Sequence, residues 1–334
     1  MTENDLNSNL TKQTRPLSRS MTTAPSDAAD TPSRTSRHSQ WIHPSAVKFY
    51  DSLEVRNAVR CKSRKGVLNL AIDAAWKRNT EVHRPCLWLE FGVFKGEDIT
   101  HIAGKLLEKS EANHVTYLGT GDDRYNVPVV HGFDSFEGLP TEWKKGNETM
   151  EKGAFDLRGV PPTIKSKNVE LHTGWFHDTL PAFLDEINAD INPLPEKSSE
   201  EAWRDSKDGK VPEKFAGFKG WQKMSKKPTP VIFIHADADL YSSTATFLTT
   251  LFIRGVVVKG TIIVFDEYTN YDGWEEGEWL AWKECVEKFG VSFKYLAVHA
   301  PKNDRETSNN FKHGYQSVSV KVLNVGSCCR AGSR

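Results

Sequence analysis

The sequence predicts a doubly wound α/β fold on a mostly parallel seven-stranded sheet whose last strand runs antiparallel. Three observations carry that expectation. Near-continuous apolar runs, Val231–Ile234 (VIFI) and Thr261–Phe265 (TIIVF), suit strands covered on both faces. Segments with helical spacing alternate with the strands, which places helices on both sides of a parallel sheet and ligands outside the carboxyl ends of its strands. The last two strands, Ser292–His299 and Tyr315–Leu323, have no helix between them and so pair as an antiparallel edge.

Taken in order, Met1–Gln40 is rich in Ser, Thr, Pro, Asn and Asp and has almost no large apolar side chains. It has too little to bury to offset the entropy of ordering, and is read as a disordered tail. Its basic residues and many hydroxyls are compatible with organelle targeting, against which Glu3 and Asp5 count. Residues 41–80 form a helical cap, with amphipathic helices at Ser45–Val59 and Gly66–Trp76. The main domain, 81–325, has further strands at Cys86–Gly92, Val127–Asp134, Asn168–Thr173, Val231–Asp237 and Thr261–Asp266. Its helices lie near Gly96–Lys109, His177–Ile187, Ser242–Ile253 and Trp274–Phe289. Two polar stretches interrupt it, Thr141–Lys167 and Asn188–Pro230, and insertions of this length are lids or disordered segments. A short C-terminal tail, 326–334, carries Cys328 and Cys329.

Lys plus Arg and Asp plus Glu both number 44, so no charge excess favours nucleic acid or an anionic membrane as partner. Five cysteines without a C-x-x-C pair suit a reducing compartment and no structural zinc. No apolar run reaches the roughly 18 residues of a membrane helix. A soluble, cytoplasmic protein acting on a small molecule is expected, and a homo-oligomer is compatible with all of this.

The chemistry gathers at strand ends. Leu87–Gly96 (LWLEFGVFKG) runs from a strand through Glu90, Gly92 and Gly96 into a helix, where glycine permits close ligand approach and helix N–H groups face it. The dinucleotide fingerprint G-x-G-x-x-G is absent. In HGFDSFEGLP, Asp134 ends a strand and can accept from ribose hydroxyls or form a turn with Ser135. In GWFHDTLP, His177 heads a helix near the crevice, and Trp175 and Phe176 suit a purine or the core. In HADADLYSST, Asp237 ends a central strand and Asp239 sits at a helix N-cap position. In FDEYTNYDGWEEGE, Asp266 and Glu267 end the next strand. Three carboxylates at neighbouring strand ends, with no lysine between them, repel one another unless a hard cation such as Mg²⁺ sits there. Capping of the following turn by Asp266 and Glu267 is the alternative.

Occurring in one order over Leu87–Leu323, these five motifs resemble the macrocin O-methyltransferase family of class I, Rossmann-like, S-adenosylmethionine (SAM)-dependent methyltransferases. The resemblance implies that Glu90, Gly92 and Gly96 hold SAM, with Asp134, Ser135 and Asp237 beside it. It implies that Asp237, Asp266 and Glu267 bind Mg²⁺ or another divalent ion, although the macrolide-sugar enzymes have aspartate where this chain has Glu267. Methyl transfer to a hydroxyl of a sugar-like or polyhydroxylated small molecule follows, with Asp237 in the catalytic centre and Asp239 or His177 taking the proton. The rival readings are a non-catalytic module on the same fold and an NAD-linked oxidoreductase. Valine at Gly92 is expected to block the cofactor in a domain that stays folded.

Overall fold

A computed structural model describes residues 42–82, 85–112, 127–145, 148–188, 227–301 and 314–326. The tail Met1–Gln40, nearly all of the 188–230 stretch and the Cys328–Cys329 pair lie outside the described residues.

Where the sequence suggests one helix at Ser45–Val59, the chain breaks into a 3₁₀ turn Pro44–Ala46, helix α1 (Val47–Asp51) and helix α2 (Leu53–Arg56). Ser52, extended at ψ 145°, ends α1 and caps α2, its hydroxyl accepting from Val55 N. A short strand β1 (Val59–Cys61) follows, then helix α3 (Arg64–Glu81), longer at both ends than Gly66–Trp76. Its N-cap is Ser63, whose Oγ accepts from Gly66 N at 3.1 Å.

The remaining elements are β2 (Leu87–Phe91), α4 (Glu97–Ala112), β3 (Val130–Asp134), β4 (Trp143–Lys145), β5 (Glu148–Met150), β6 (Val169–Thr173) and α5 (Phe176–Ile187). They continue with β7 (Val231–Ala236), α6 (Tyr241–Ile253), β8 (Val257–Phe265), α7 (Glu278–Phe289), β9 (Ser292–His299) and β10 (Val318–Asn324). A 3₁₀ turn, Trp274–Glu276, precedes α7, so that helix starts later than the apolar spacing suggests. Within the described residues of the 141–167 stretch, β4 and β5 pair antiparallel, Trp143 opposite Met150.

The main sheet runs β1-β9-β10-β8-β7-β2-β3-β6. It has eight strands rather than seven, because β1 adds to β9 in parallel, Val59 opposite Ala297. The expected antiparallel pairing of β9 with β10 is present, but β10 lies inside the sheet between β9 and β8. The other described pairings are parallel.

Alternation within β2 divides the core. Trp88 faces α3 and α4 (Leu68, Ile72, Ile102, Leu106), whereas Leu89 and Phe91 face α5, α6 and α7 (Leu184, Phe247, Trp282). Each fully buried Leu or Phe side chain contributes about 1.5–3 kcal/mol, and helices on both faces supply many of them. Strand β8 starts at Val257, not Thr261, because a bulge at Gly260 (φ 98°) separates its two segments.

On the α5 side, the His131 imidazole is 12 % exposed and stacks near Phe183. Burial, aided by His172, pushes its pKa down to about 4. A histidine depressed in the folded state favours folding fully above its unfolded value near 6.5, and that contribution disappears as pH falls through the folded value. Acidification across this window is therefore expected to cost up to about 3 kcal/mol at this residue. Urea denaturation at pH 7 and 5 checks this: the stability gap between wild type and His131→Gln should narrow on acidification, and a constant gap would contradict it.

Candidate active site

The strand order reverses between β2 and β7, and a cleft of about 440 Å³ opens there at the carboxyl ends of β2, β3, β7 and β8. Glu90, Gly92, Asp134, Ser135, Asp237, Asp239, Asp266 and Glu267 all line it. Gly96 stands at the head of α4, with φ 80°. His177 is outside this lining: its side chain is 51 % exposed and its Nε2 faces Asp178 Oδ2 at 3.3 Å. From the same segment, Trp175 and Phe176 reach the cleft.

The glycine turn is held mainly by protein groups. Asp134 Oδ2 accepts from Val93 N and Phe94 N, both at 2.8 Å, and Oδ1 accepts from Phe136 N at 2.8 Å. Gly92 N donates to Phe133 O, and Gly96 N to Val93 O. The turn N–H groups are thus bound within the chain rather than presented to a ligand, and Asp134 is the clamp. Phe94 and Phe136 both sit at positive φ (47° and 57°), strain that this clamp sustains. Asp134→Ala is expected to cost about 2–4 kcal/mol, since three partly buried donors lose a charged acceptor. Urea unfolding checks it, and a loss within about 0.5 kcal/mol, as at an ordinary surface site, would contradict it.

Glu90 is almost completely buried. Its Oε2 lies 3.4 Å from His235 Nδ1, and neither atom has a hydrogen-bond partner among the described residues. Burial raises the Glu90 pKa, opposed by His235. Asp98 Oδ1, also at the cleft, is likewise buried without a hydrogen-bond partner among the described residues.

Asp237, Asp266 and Glu267 offer ligand oxygens within 4.8 Å of one another. Two cations absent from the sequence-based reading stand against them. Arg64, the first residue of α3, places Nη2 at 2.6 Å from Asp98 Oδ2 and Nη1 at 2.9 Å from Asp266 Oδ2 and 3.6 Å from Asp237 Oδ2. Burial works against its charge, and Asp266, Asp98 and Asp237 outweigh that effect. Lys145, from β4, lies 3.7 Å from Glu267 Oε1, with its ammonium over the rings of Trp143 and Tyr271.

These cations leave negative charge in excess. Burial and then the charge of Asp266 hold Asp237 and Glu267 well above the ordinary carboxylate range. Asp239, strained at φ 59°, is pushed up to about 7 by burial, which Lys145 opposes and Asp266 reinforces. Glu278, fully buried beneath them, accepts from Glu267 N and is pushed up to about 8, chiefly by burial. Glu267 Oε2 is buried without a hydrogen-bond partner among the described residues. An unpartnered oxygen among mutually repelling carboxylates is a donor set that fits a hard divalent ion. An arginine and a lysine thus offset part of the mutual repulsion that the sequence suggests for these carboxylates.

No family model and no curated protein matches the chain. Among solved structures, it is similar to the calicheamicin methyltransferase CalS11, with TM-score 0.42 and 18 % identity over 78 % of this chain and 80 % of that one. It is similar to the O-methyltransferase NovP, with TM-score 0.43 and 16 % identity over 78 % and 80 %. A third is the S-adenosylhomocysteine-bound Podospora anserina methyltransferase PaMTH1, with TM-score 0.36 and 12 % identity over 91 % and 100 %. At such scores the likeness by itself assigns neither family nor activity. The fold rests on the strand order and register: a doubly wound, Rossmann-like class I sheet with its last strand antiparallel.

Proposed function

We propose that this protein transfers the methyl group of SAM to a hydroxyl oxygen of a small polyhydroxylated molecule, with a divalent ion of the Mg²⁺ type in the same cleft, in the manner of the macrocin O-methyltransferases. The observation that carries the proposal is the convergence of Asp237, Asp266 and Glu267 at a topological switch point, with more negative charge than Arg64 and Lys145 offset.

The cleft residues fit both groups. Glu90 Oε2 and Asp98 Oδ1, buried without a hydrogen-bond partner among the described residues, suit the ammonium end of a cationic cofactor. Trp175 and Phe94 line the cleft as apolar surfaces for a planar base. Asp237, Asp266 and Glu267 would hold the metal. When bound, SAM supplies an electrophilic methyl carbon, and the metal lowers the proton affinity of the acceptor oxygen. The chain has to align acceptor and donor in line, keep water out and receive one proton. Arg64 bridges Asp237 and Asp266, and Ser317 Oγ donates to the second oxygen of Asp266, which holds the acids of the set near one another. Trp143, Met150 and Phe155, from the segment that follows β3, line the cleft. Asp239, which lines the cleft, would take the hydroxyl proton in preference to His177, which is not among its lining residues. The balanced basic and acidic content favours a small acceptor over nucleic acid.

Calorimetric titration with S-adenosylhomocysteine, beside NAD as control, tests the cofactor assignment. Binding of the former alone is expected. Binding of NAD alone, or of neither, would overturn it.

A further inference from the structure

At the free edge of the sheet, away from the cleft, β6 pairs with β3 so that His131 stands opposite Glu170, and His172 follows two residues later on the same face. His131 Nδ1 lies 3.2 Å from His172 Nε2 and 3.5 Å from Glu170 Oε2, and the three atoms fall within 4.8 Å of one another. In a tetrahedral zinc site with Zn–N bonds near 2.0–2.1 Å, neighbouring ligand atoms are about 3.3 Å apart. The two separations from His131 match those of a ligand set.

The rings are held in place. His172 stacks on Phe133 at 4.5 Å, and both imidazoles contact Phe183 from α5 at 4.6 and 4.7 Å. Burial lowers both histidine pKa values, which keeps lone pairs available at neutral pH. Glu170 is 60 % exposed at its side chain, leaving an entry path from solvent and an open coordination position.

We propose that His131, Glu170 and His172 form a binding site for a zinc-class divalent ion, separate from the acidic cluster of the cleft. Imidazole nitrogens select zinc and its late-transition neighbours, whereas the all-oxygen set at Asp237 suits Mg²⁺. A bound ion joins edge strand β6 to β3, just before the Gly174–Phe176 turn that reaches the cleft.

The test is calorimetric titration of the metal-free full-length chain with ZnCl₂ in excess Mg²⁺, with Co²⁺ absorption as the spectroscopic probe. Wild type should bind about one equivalent, with the strong visible absorption of a four-coordinate, nitrogen-ligated Co²⁺ site. His131→Gln and His172→Gln should each weaken Zn²⁺ by about 100-fold or more, and Glu170→Gln, on an exposed position that keeps the fold, by about 10-fold. Asp266→Asn should leave Zn²⁺ affinity unchanged. Absence of Zn²⁺ binding at about 100 μM, or unchanged affinity in all three edge variants, would overturn the proposal and leave the two histidines as a hydrogen-bonded pair.

Discussion

Gly92→Val is expected to unfold the domain, at a cost of about 4 kcal/mol or more, before cofactor binding is ever affected. Gly92 has φ 87°, a conformation that costs any L-residue and a β-branched one most. A Cβ here would overlap the carbonyl oxygen of Asp237 and stand 2.7 Å from its carbonyl carbon. Those are backbone atoms, and they cannot retreat cheaply. Asp237 N donates to Phe91 O at 2.9 Å, the last hydrogen bond tying β7 to β2. The neighbouring strand by itself requires glycine here, a reason not visible in the sequence. Gly96→Ala is the control: φ is 80°, but the overlap there is with the flexible Ile164 side chain. About 1–2 kcal/mol is expected for it, the ordinary cost of left-handed backbone. Urea unfolding of both variants decides, and a Gly92→Val protein as stable as wild type would contradict the packing argument.

Asp266→Asn is expected to lower the rate of methyl transfer by about 100-fold or more, or roughly 2.7 kcal/mol of barrier, while S-adenosylhomocysteine affinity changes little. Its carboxylate is 9 % exposed, meets Arg64 through Oδ2 and accepts from Ser317 Oγ through Oδ1 at 3.2 Å. Removing the charge weakens the metal set and frees Arg64 together. Glu267→Gln separates these effects, because Glu267 Oε2 has no partner among the described residues and Lys145 is its nearest cation. Glu267→Gln should share the rate loss with less loss of stability, and Glu267→Asp should be milder than either. Rates equal to wild type in both Asp266→Asn and Glu267→Gln would show that these acids serve the fold alone.

The strands with both faces buried were legible because they are apolar without interruption, and the β9–β10 pairing because no helix separates them. Strand β1 was not: three residues, Val59, Arg60 and Cys61, carry no alternation, and only the edge of β9 makes them a strand. The first half of β8 was hidden by Lys259 and Gly260, which read as a turn but form a bulge. At the site, strand ends located the carboxylates, because their placement depends on local pattern. Arg64 was missed because a basic residue in the first turn of a helix opposes the helix dipole, so no local rule favours it. Its reason is long-range, in Asp98, Asp237 and Asp266. Lys145 was hidden in a polar stretch whose pairing is fixed only when β4 meets β5. Asp134 was recognised as a strand-end acid, but the turn it clamps is visible only in three dimensions.

The most direct measurement is transfer of labelled methyl from SAM to a panel of sugars and polyhydroxylated metabolites, with and without EDTA. The expected result is transfer to a hydroxyl that EDTA suppresses and Mg²⁺ or Mn²⁺ restores, with S-adenosylhomocysteine binding unaffected. Full transfer in EDTA would contradict the metal assignment of Asp237, Asp266 and Glu267.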